Sequence, residues 1–205
     1  MVIDWTKFLP ALALLLTPIA LFHGKKVRFM SVSRDWDGRK RQILALGLHT
    51  IDLGRAALGG WLLILSLAPD PTAHGLMRQA VLLTQGATLC VAVLLQTFFC
   101  KEPESAHAPF AFVTGLVFGL YAPAIAGLPL LFAIVIASGS RTPSAFFPTL
   151  SIALLAIGIL LGGKAMIPKL VIGACAVLLP WLCSLLFSLD LVTTYRAKRP
   201  SGSHR

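Results

Sequence analysis

Residues 108–138 read APFAFVTGLVFGLYAPAIAGLPLLFAIVIAS, and the fold depends on whether this stretch crosses a membrane once or twice. A single spanning helix needs only about 20 apolar residues, so the stretch is long for one helix. Pro123 and Pro129 each remove a backbone donor and obstruct helix continuity. The sequence therefore allows either one kinked span or two short helices.

The rest of the chain is equally apolar. Of its 205 residues, 57% are hydrophobic and 13% are charged, whereas soluble domains average roughly 45–50% and 25%. This composition indicates a polytopic membrane protein with an all-α fold, a single transmembrane helix bundle over residues 1–195. Residues 196–205 form a basic tail that we expect to be disordered. The predicted helices cover 8–22, 43–67, 76–99, 108–121, 124–138, 145–162 and 167–191.

The distribution of Lys and Arg selects between six and seven helices. Cytoplasmic loops carry an excess of these residues, and GKKVRFMSVSRDWDGRKRQ after the first helix contains seven of them. With an external N-terminus and one crossing over 108–138, 10 basic residues lie inside and 7 outside. With two crossings, or a re-entrant hairpin, 13 lie inside and 4 outside. The rule favours seven helices, N-out and C-in, and six remain possible.

The second predicted helix carries charge at membrane depth, in the segment HTIDLGRAALGG (residues 49–60). At 100° per residue, His49 and Asp52 share one face with small residues, and Arg55 lies at its edge. Because larger apolar residues cover the other faces, we expect the charges to face the bundle. Asp52 and Arg55 are three residues apart and can pair, which lowers the cost of about 2.5–3.5 kcal/mol for a lone charge at the bilayer centre.

Two interpretations of this charged turn compete. In the first, His49, Asp52 and Arg55 lie in the cytoplasmic interface and pair among themselves. In the second, they form a polar site that binds an anionic head group, for which arginine is well suited because its planar fork donates two hydrogen bonds at once. The anion-binding rim would then consist of Arg34, Arg39, Lys40, Arg41 and Lys101.

Other sequence features indicate packing. Gly115-x-x-x-Gly119 and Gly158-x-x-x-Gly162 place small residues on one helix face, where neighbouring backbones can approach closely. The four cysteines show no C-x-x-C spacing, so we interpret them as buried thiols and predict neither a metal site nor a cofactor.

Two stretches, IDLGRAALGG and VTGLVFGLYAPAIAGLPLLFAIVIASGSR, together with the length and helix layout, resemble the bacterial acyl-phosphate:glycerol-3-phosphate acyltransferase membrane family. In the first stretch, Arg55 occupies the position of the lysine in the family's Asp-x-x-Lys-Gly sequence. The resemblance implies seven helices, N-out and C-in, and acyl transfer to a glycerol phosphate-like acceptor.

The signature loops of that family are missing here. FMSVSRDWDGRKRQ stands in place of its Ser-Gly-Asn…Gly-Ala-Thr-Asn motif, and no histidine occurs near Val91–Gln96, where the family has a Gly-His pair. CKEPESAHA replaces its Gly-Gly-Lys-Gly phosphate loop and leaves Lys101 as the cation. The resemblance therefore points to a divergent relative with altered substrate-binding loops.

The sequence thus predicts a multi-pass protein of a bacterial-type inner membrane that binds or modifies a phosphorylated lipid or lipid precursor at the cytoplasmic face. Its expected partners are membrane lipids with anionic head groups, and a helix-packing partner or a second copy. The basic residues cluster between helices, which does not indicate nucleic-acid binding. The alternative function is that of a non-enzymatic small transporter or a structural subunit of a membrane complex.

Overall fold

The computed structural model describes residues 3–18, 27–31, 46–67, 75–99 and 104–196. These residues form seven α-helices and three short strands. The helices are α1 (Trp5–Leu16), α2 (Leu46–Ser66), α3 (Gly75–Phe98), α4 (Phe110–Leu120), α5 (Pro123–Gly139), α6 (Phe146–Gly162) and α7 (Ile167–Leu186). The strands are β1 (Val27–Ser31), β2 (Ser105–His107) and β3 (Asp190–Arg196).

The stretch 108–138 folds as two helices, as the second of the two interpretations predicted. α4 ends at Leu120, and Tyr121 and Ala122 are extended. A residue that precedes proline is disfavoured in the helical conformation, which explains the break at Ala122. Pro123 then opens α5, where its missing N–H costs nothing. The structure also accommodates Pro129 inside α5.

The three strands form a sheet that the all-α prediction did not include, with the order β1-β3-β2. β3 runs antiparallel to β1 and parallel to β2. Its formation corrects the predicted seventh helix, 167–191, because α7 stops at Leu186 and Ser188 turns the chain at a φ of 52°. Arg196, assigned to the tail, is the last residue of β3. The remaining tail lies outside the described residues.

The sheet brings three connections to the same end of the molecule, here called the sheet end. β1, β2 and β3 follow α1, α3 and α7, respectively, so the C-terminal ends of these helices lie together. Because β2 and β3 both lie at the sheet end, the four helices between them start and finish at this same end of the molecule. A single kinked helix over 108–138 would instead have placed β3 at the opposite end.

Among the described residues, three helical segments are long and apolar enough to cross a membrane. They are α3, α6 with its preceding turn (Pro143–Gly162) and α7 with its preceding turn (Lys164–Leu186). Apolar side chains such as Leu76, Leu160 and Leu186 remain exposed on their outer surfaces, as expected for contact with lipid. α4 has 11 residues and is about 16 Å long, half the thickness of a bilayer core.

α1 begins earlier and ends earlier than the predicted helix 8–22. Asp4 caps it by accepting a hydrogen bond from the backbone N–H of Thr6 at 3.1 Å. The hydrogen bond from Lys7, followed by that from the Thr6 hydroxyl, lowers the pKa of Asp4 from 3.8 to about 2. The cap therefore stays charged near neutral pH. At the other end Thr17 is extended, so the helix stops at Leu16.

α2 and α4 pack in parallel through glycines, which confirms the packing prediction for Gly115-x-x-x-Gly119. A Cβ atom at Gly115 would lie 2.1 Å from the carbonyl oxygen of Leu53, and one at Gly119 would lie 2.2 Å from that of Ala57. No side chain fits at such distances. The two backbones are in direct contact, and α4 depends on these glycines for its position.

We predict that Gly115→Ala destabilises the protein by about 1–3 kcal/mol, the usual range for overpacking. Gly127→Ala in α5 is the matched control, because a Cβ atom there meets nothing within 4 Å and alanine favours the helix. Thermal unfolding in detergent measures both changes. Equal melting temperatures for Gly115→Ala and the wild type would contradict the close α2–α4 packing.

Cysteine labelling tests the position of the connections. In a variant whose four native cysteines are serine, we expect Glu104→Cys and Ser140→Cys to react with a membrane-impermeant maleimide from the same side. Lys164→Cys, after α6, should react from the opposite side. Labelling of Glu104→Cys and Ser140→Cys from opposite sides would show a single crossing between them.

Candidate functional site

Asp52 and Arg55 in the charged turn of α2 face the interior of the molecule, as the sequence predicted. Asp52 is buried together with Ala56, Gly59 and Gly60, whereas Ile51 and other large apolar residues of α2 are exposed. Small residues on the inner face let α1 and α4 approach α2 closely. Asp52 and Arg55 therefore contact protein atoms.

Asp52 and Arg55 form a buried ion pair with side chains that are 4% and 8% exposed. Arg55 Nη2 donates to Asp52 Oδ1. Its Nη1 donates to the carbonyl oxygens of Leu14, at 2.8 Å, and Thr17. The guanidinium also lies over the ring of Phe112, 5.2 Å from the ring centroid. Helices α1, α2 and α4 thus all contact this one arginine.

Gln96 of α3 completes the arrangement, although the sequence interpretation did not single it out. Its Nε2 donates to the carbonyl oxygen of Thr17 at 3.0 Å and, more weakly, to that of Leu15 at 3.4 Å. The last carbonyls of a helix have no partner within the helix. Arg55 and Gln96 supply donors at the C-terminal end of α1, and Asp52 accepts from Arg55; the three residues are here called the polar clamp.

The polar clamp accounts for the charges without a ligand, in agreement with the interpretation that Asp52 and Arg55 pair with each other. Arg55 Nε is buried and has no hydrogen-bond partner within the described residues. Head-group binding by the pair stays a prediction. The predicted rim residues Arg34, Arg39, Lys40, Arg41 and Lys101 lie outside the described residues.

His49 lies on a different part of the surface of α2 and lines a cleft at the sheet end. The volume of the cleft is about 340 Å³, within the range of small-molecule sites. Asp52 and Arg55 are not among its lining residues. The cleft is lined by His49, Leu53, Phe110, Ala111, Thr114, Ile134, Ala137, Ser138, Pro143, Phe146 and Thr193.

The walls of this cleft, here called the His49 cleft, are mostly apolar, and the cleft is partly open to the surface. Leu53 on α2 and Ile134 on α5 line it and are 37% and 50% exposed. His49 is the titratable side chain of the lining, and Thr193 contributes a buried hydroxyl. The cleft thus combines an opening on an apolar surface with a few polar groups.

The sequence did not reveal this cleft because its walls come from separate parts of the chain. Phe110 begins α4, Ser138 lies near the end of α5, and Thr193 belongs to β3. A signal for β3 was present, since the β-branched run Val192-Thr193-Thr194 favours a strand. Gln96 was detectable as a polar residue directly after the apolar run Leu89–Leu95.

The cysteines and potential metal ligands form no site in the described part of the chain. No group of three or more His, Cys, Asp or Glu side chains there could hold a metal ion. Cys90, Cys175 and Cys183 are free thiols. Cys183 is buried as predicted, whereas Cys175 is exposed on α7 and Cys90 is partly exposed. The buried-thiol prediction is therefore wrong for Cys175, which lies on the outer surface of its helix.

Comparisons with protein-family models, with curated proteins and with solved structures gave no match to this chain.

We predict that Arg55→Ala destabilises the protein by about 3–5 kcal/mol, because Asp52 then stays buried without its partner. Gln96→Leu should cost about 1–3 kcal/mol for the lost donor. Lys164→Ala, which removes an exposed cation, serves as the control and should change stability by less than about 0.5 kcal/mol. Denaturant unfolding in detergent gives the three values.

A double variant distinguishes the cost of an unpaired buried charge from the cost of losing the hydrogen bonds that Arg55 donates to α1. Replacing a buried ion pair by apolar residues of similar size is often nearly neutral, so Asp52→Leu/Arg55→Met should recover part of the loss. It should not recover all of it, because the carbonyls of Leu14 and Thr17 still lack the donor from Arg55. Full recovery would show that Arg55 does not cap α1.

Proposed function

We propose that this chain is a multi-pass membrane protein, N-out and C-in, of a bacterial-type inner membrane, and that it binds a phosphorylated lipid or lipid precursor. The apolar part of the ligand would occupy the His49 cleft, with the phosphate at the sheet end on the cytoplasmic side. α4 and α5 would either cross as two short helices or form a re-entrant hairpin.

The observation that carries this proposal is that the His49 cleft is open and lined mostly by apolar side chains, two of which are substantially exposed. An apolar cleft that opened to water would fill with solvent or close. One whose mouth is bordered by exposed Leu53 and Ile134 instead meets acyl chains when the helices lie in a bilayer. Its occupant can therefore enter from the membrane without passing through water.

Charge supports a phosphate at the sheet end. Of the seven Lys and Arg in GKKVRFMSVSRDWDGRKRQ, one lies in β1 and six precede or follow this strand in the sequence. The basic tail follows β3 in the sequence. Both basic segments are thus adjacent in sequence to strands of the sheet. Basic residues at this position attract anionic head groups and favour a cytoplasmic location by the positive-inside rule.

Acyl transfer is the activity that the resemblance to the acyltransferase family adds. The hydroxyl oxygen of a glycerol phosphate would attack the carbonyl carbon of an acyl phosphate, and inorganic phosphate would leave. His49 is the titratable side chain of the cleft lining, and a neutral imidazole can accept the hydroxyl proton. We propose His49 as the general base of this step.

The polar clamp favours a second candidate, a non-enzymatic bundle such as a small transporter or a structural subunit. Both charges of the clamp are used within the protein. The charged turn then needs no substrate to explain it, and the chain would act through its helix surfaces. The two candidates differ in whether the cleft is occupied.

We expect Ala111→Trp to abolish lipid binding, because it fills the cleft from one wall. The matched control is Ala124→Trp, at an exposed position near the start of α5. The probe is lysophosphatidate with a diazirine in its acyl chain, added to protein in phosphatidylethanolamine–phosphatidylglycerol vesicles. Wild type and Ala124→Trp should be labelled on α2, α4 or α5, and Ala111→Trp should not. Equal labelling of all three proteins would contradict binding in the cleft.

Acyl transfer is tested on the same proteins with acyl phosphate and labelled glycerol-3-phosphate, beside a known acyltransferase. Lysophosphatidate formed by the wild type and lost in His49→Ala, with labelling by the probe retained, supports the enzyme. Probe labelling without product leaves a lipid-binding protein that is not this acyltransferase. If neither labelling nor product is observed, the result favours the structural candidate.

A further inference from the structure

We propose that the hydroxyl of Thr193 recognises the carbonyl oxygen of a single acyl chain bound in the His49 cleft. The ligand class is then a single-chain acyl ester or acyl phosphate, and lipids whose chain is attached by an ether would bind less well. The inference rests on the proposed lipid-binding function and specifies which atom of the ligand accepts a hydrogen bond from the protein.

Thr193 is a buried residue whose side-chain hydroxyl makes no hydrogen bond within the described residues. It is 2% exposed and lines the cleft. Buried polar groups are nearly always paired, because an unsatisfied one loses its hydration without compensation. A ligand that accepts a hydrogen bond from this hydroxyl would remove the cost.

The position of Thr193 is fixed by the backbone. β3 is the central strand of the sheet, and Thr193 pairs with Met30 of β1 while the preceding Val192 pairs with His107 of β2. Strands on both sides hold the residue at the cleft wall. The hydroxyl is therefore a rigidly placed donor, as specificity requires.

The chemistry of the remaining walls selects the acceptor. Apart from His49, the lining consists of apolar and hydroxyl side chains, which suits an acyl chain and includes no Lys or Arg to hold a phosphate within the cleft. In an acyl ester or acyl phosphate, the strong acceptor closest to the chain is the carbonyl oxygen. A volume of about 340 Å³ lies near the small end of ligand sites, about 300–1,000 Å³, and favours one chain over two.

The experiment compares two lysophosphatidate probes that differ only in the linkage of the chain, one an ester and the other an ether. Each displaces a fluorescent single-chain lipid from the purified protein in detergent. Thr193→Val removes the hydroxyl and keeps the β-branched shape that suits a strand, and Thr193→Ser restores the hydroxyl. Thr84→Val, on α3 outside the cleft, is the control; its hydroxyl donates to the Ala80 carbonyl.

One neutral hydrogen bond corresponds to roughly a fivefold change in affinity. We expect the wild type, Thr193→Ser and Thr84→Val to bind the ester about fivefold more tightly than the ether, and Thr193→Val to bind both equally. If the wild type binds the ester and the ether with equal affinity, this inference is overturned and water is the partner of the hydroxyl. Lipid binding in the cleft would not be contradicted by that result. An ester preference that persists in Thr193→Val would also overturn the inference.

Failure of the proposed function gives a different result. If neither probe displaces the fluorescent lipid from any of the proteins, and Ala111→Trp and the wild type behave alike, the cleft does not bind lipid. The inference about Thr193 then falls with the function on which it rests. Circular dichroism of each variant establishes that it is folded before its affinities are compared.

Discussion

The arrangement of the first three helices depends on how the C-terminal carbonyls of α1 are paired. In water these groups would be hydrated, but in an apolar environment an unpaired carbonyl is expensive. Arg55 of α2 and Gln96 of α3 supply the donors, and Asp52 compensates the charge of Arg55. A helix of 12 residues can therefore end inside the bundle. The cost of burying an arginine is offset because it links three helices.

The sheet likewise provides hydrogen-bond partners for backbone groups that lie outside the helices. Strands β1 and β2 are held on either side of β3, so backbone groups in three separate connections are paired with one another. This pairing also carries Thr193 to the ends of α2, α4 and α5, where the cleft forms. The connection between architecture and the proposed function lies in this strand: without β3, the cleft would lack its buried hydroxyl.

Clamp and cleft divide the polar residues of α2 by face. Asp52 and Arg55 point to α1, whereas His49 lines the cleft together with Leu53. Helical geometry predicted that His49 and Asp52 share one face and one site, but in the structure Asp52 pairs with Arg55 against α1 while His49 lines the cleft. The proposed lipid-binding residues are consequently not the most strongly charged ones. The charged residues of α2 are used for contacts between helices. The side chains proposed to contact the ligand, His49 and Thr193, are weaker polar groups.

The sequence by itself determined the helical class, favoured the break before Pro123, and predicted the inward direction of Asp52 and the close approach at Gly115 and Gly119. Each of these follows from local chemistry: apolar runs, proline sterics, helical periodicity and residue size. Only the tertiary structure decided that Gln96 caps α1, that residues 190–196 form a strand and that Thr193 joins His49 in one cleft. These features depend on contacts between segments far apart in the chain, and no local pattern records which segments meet.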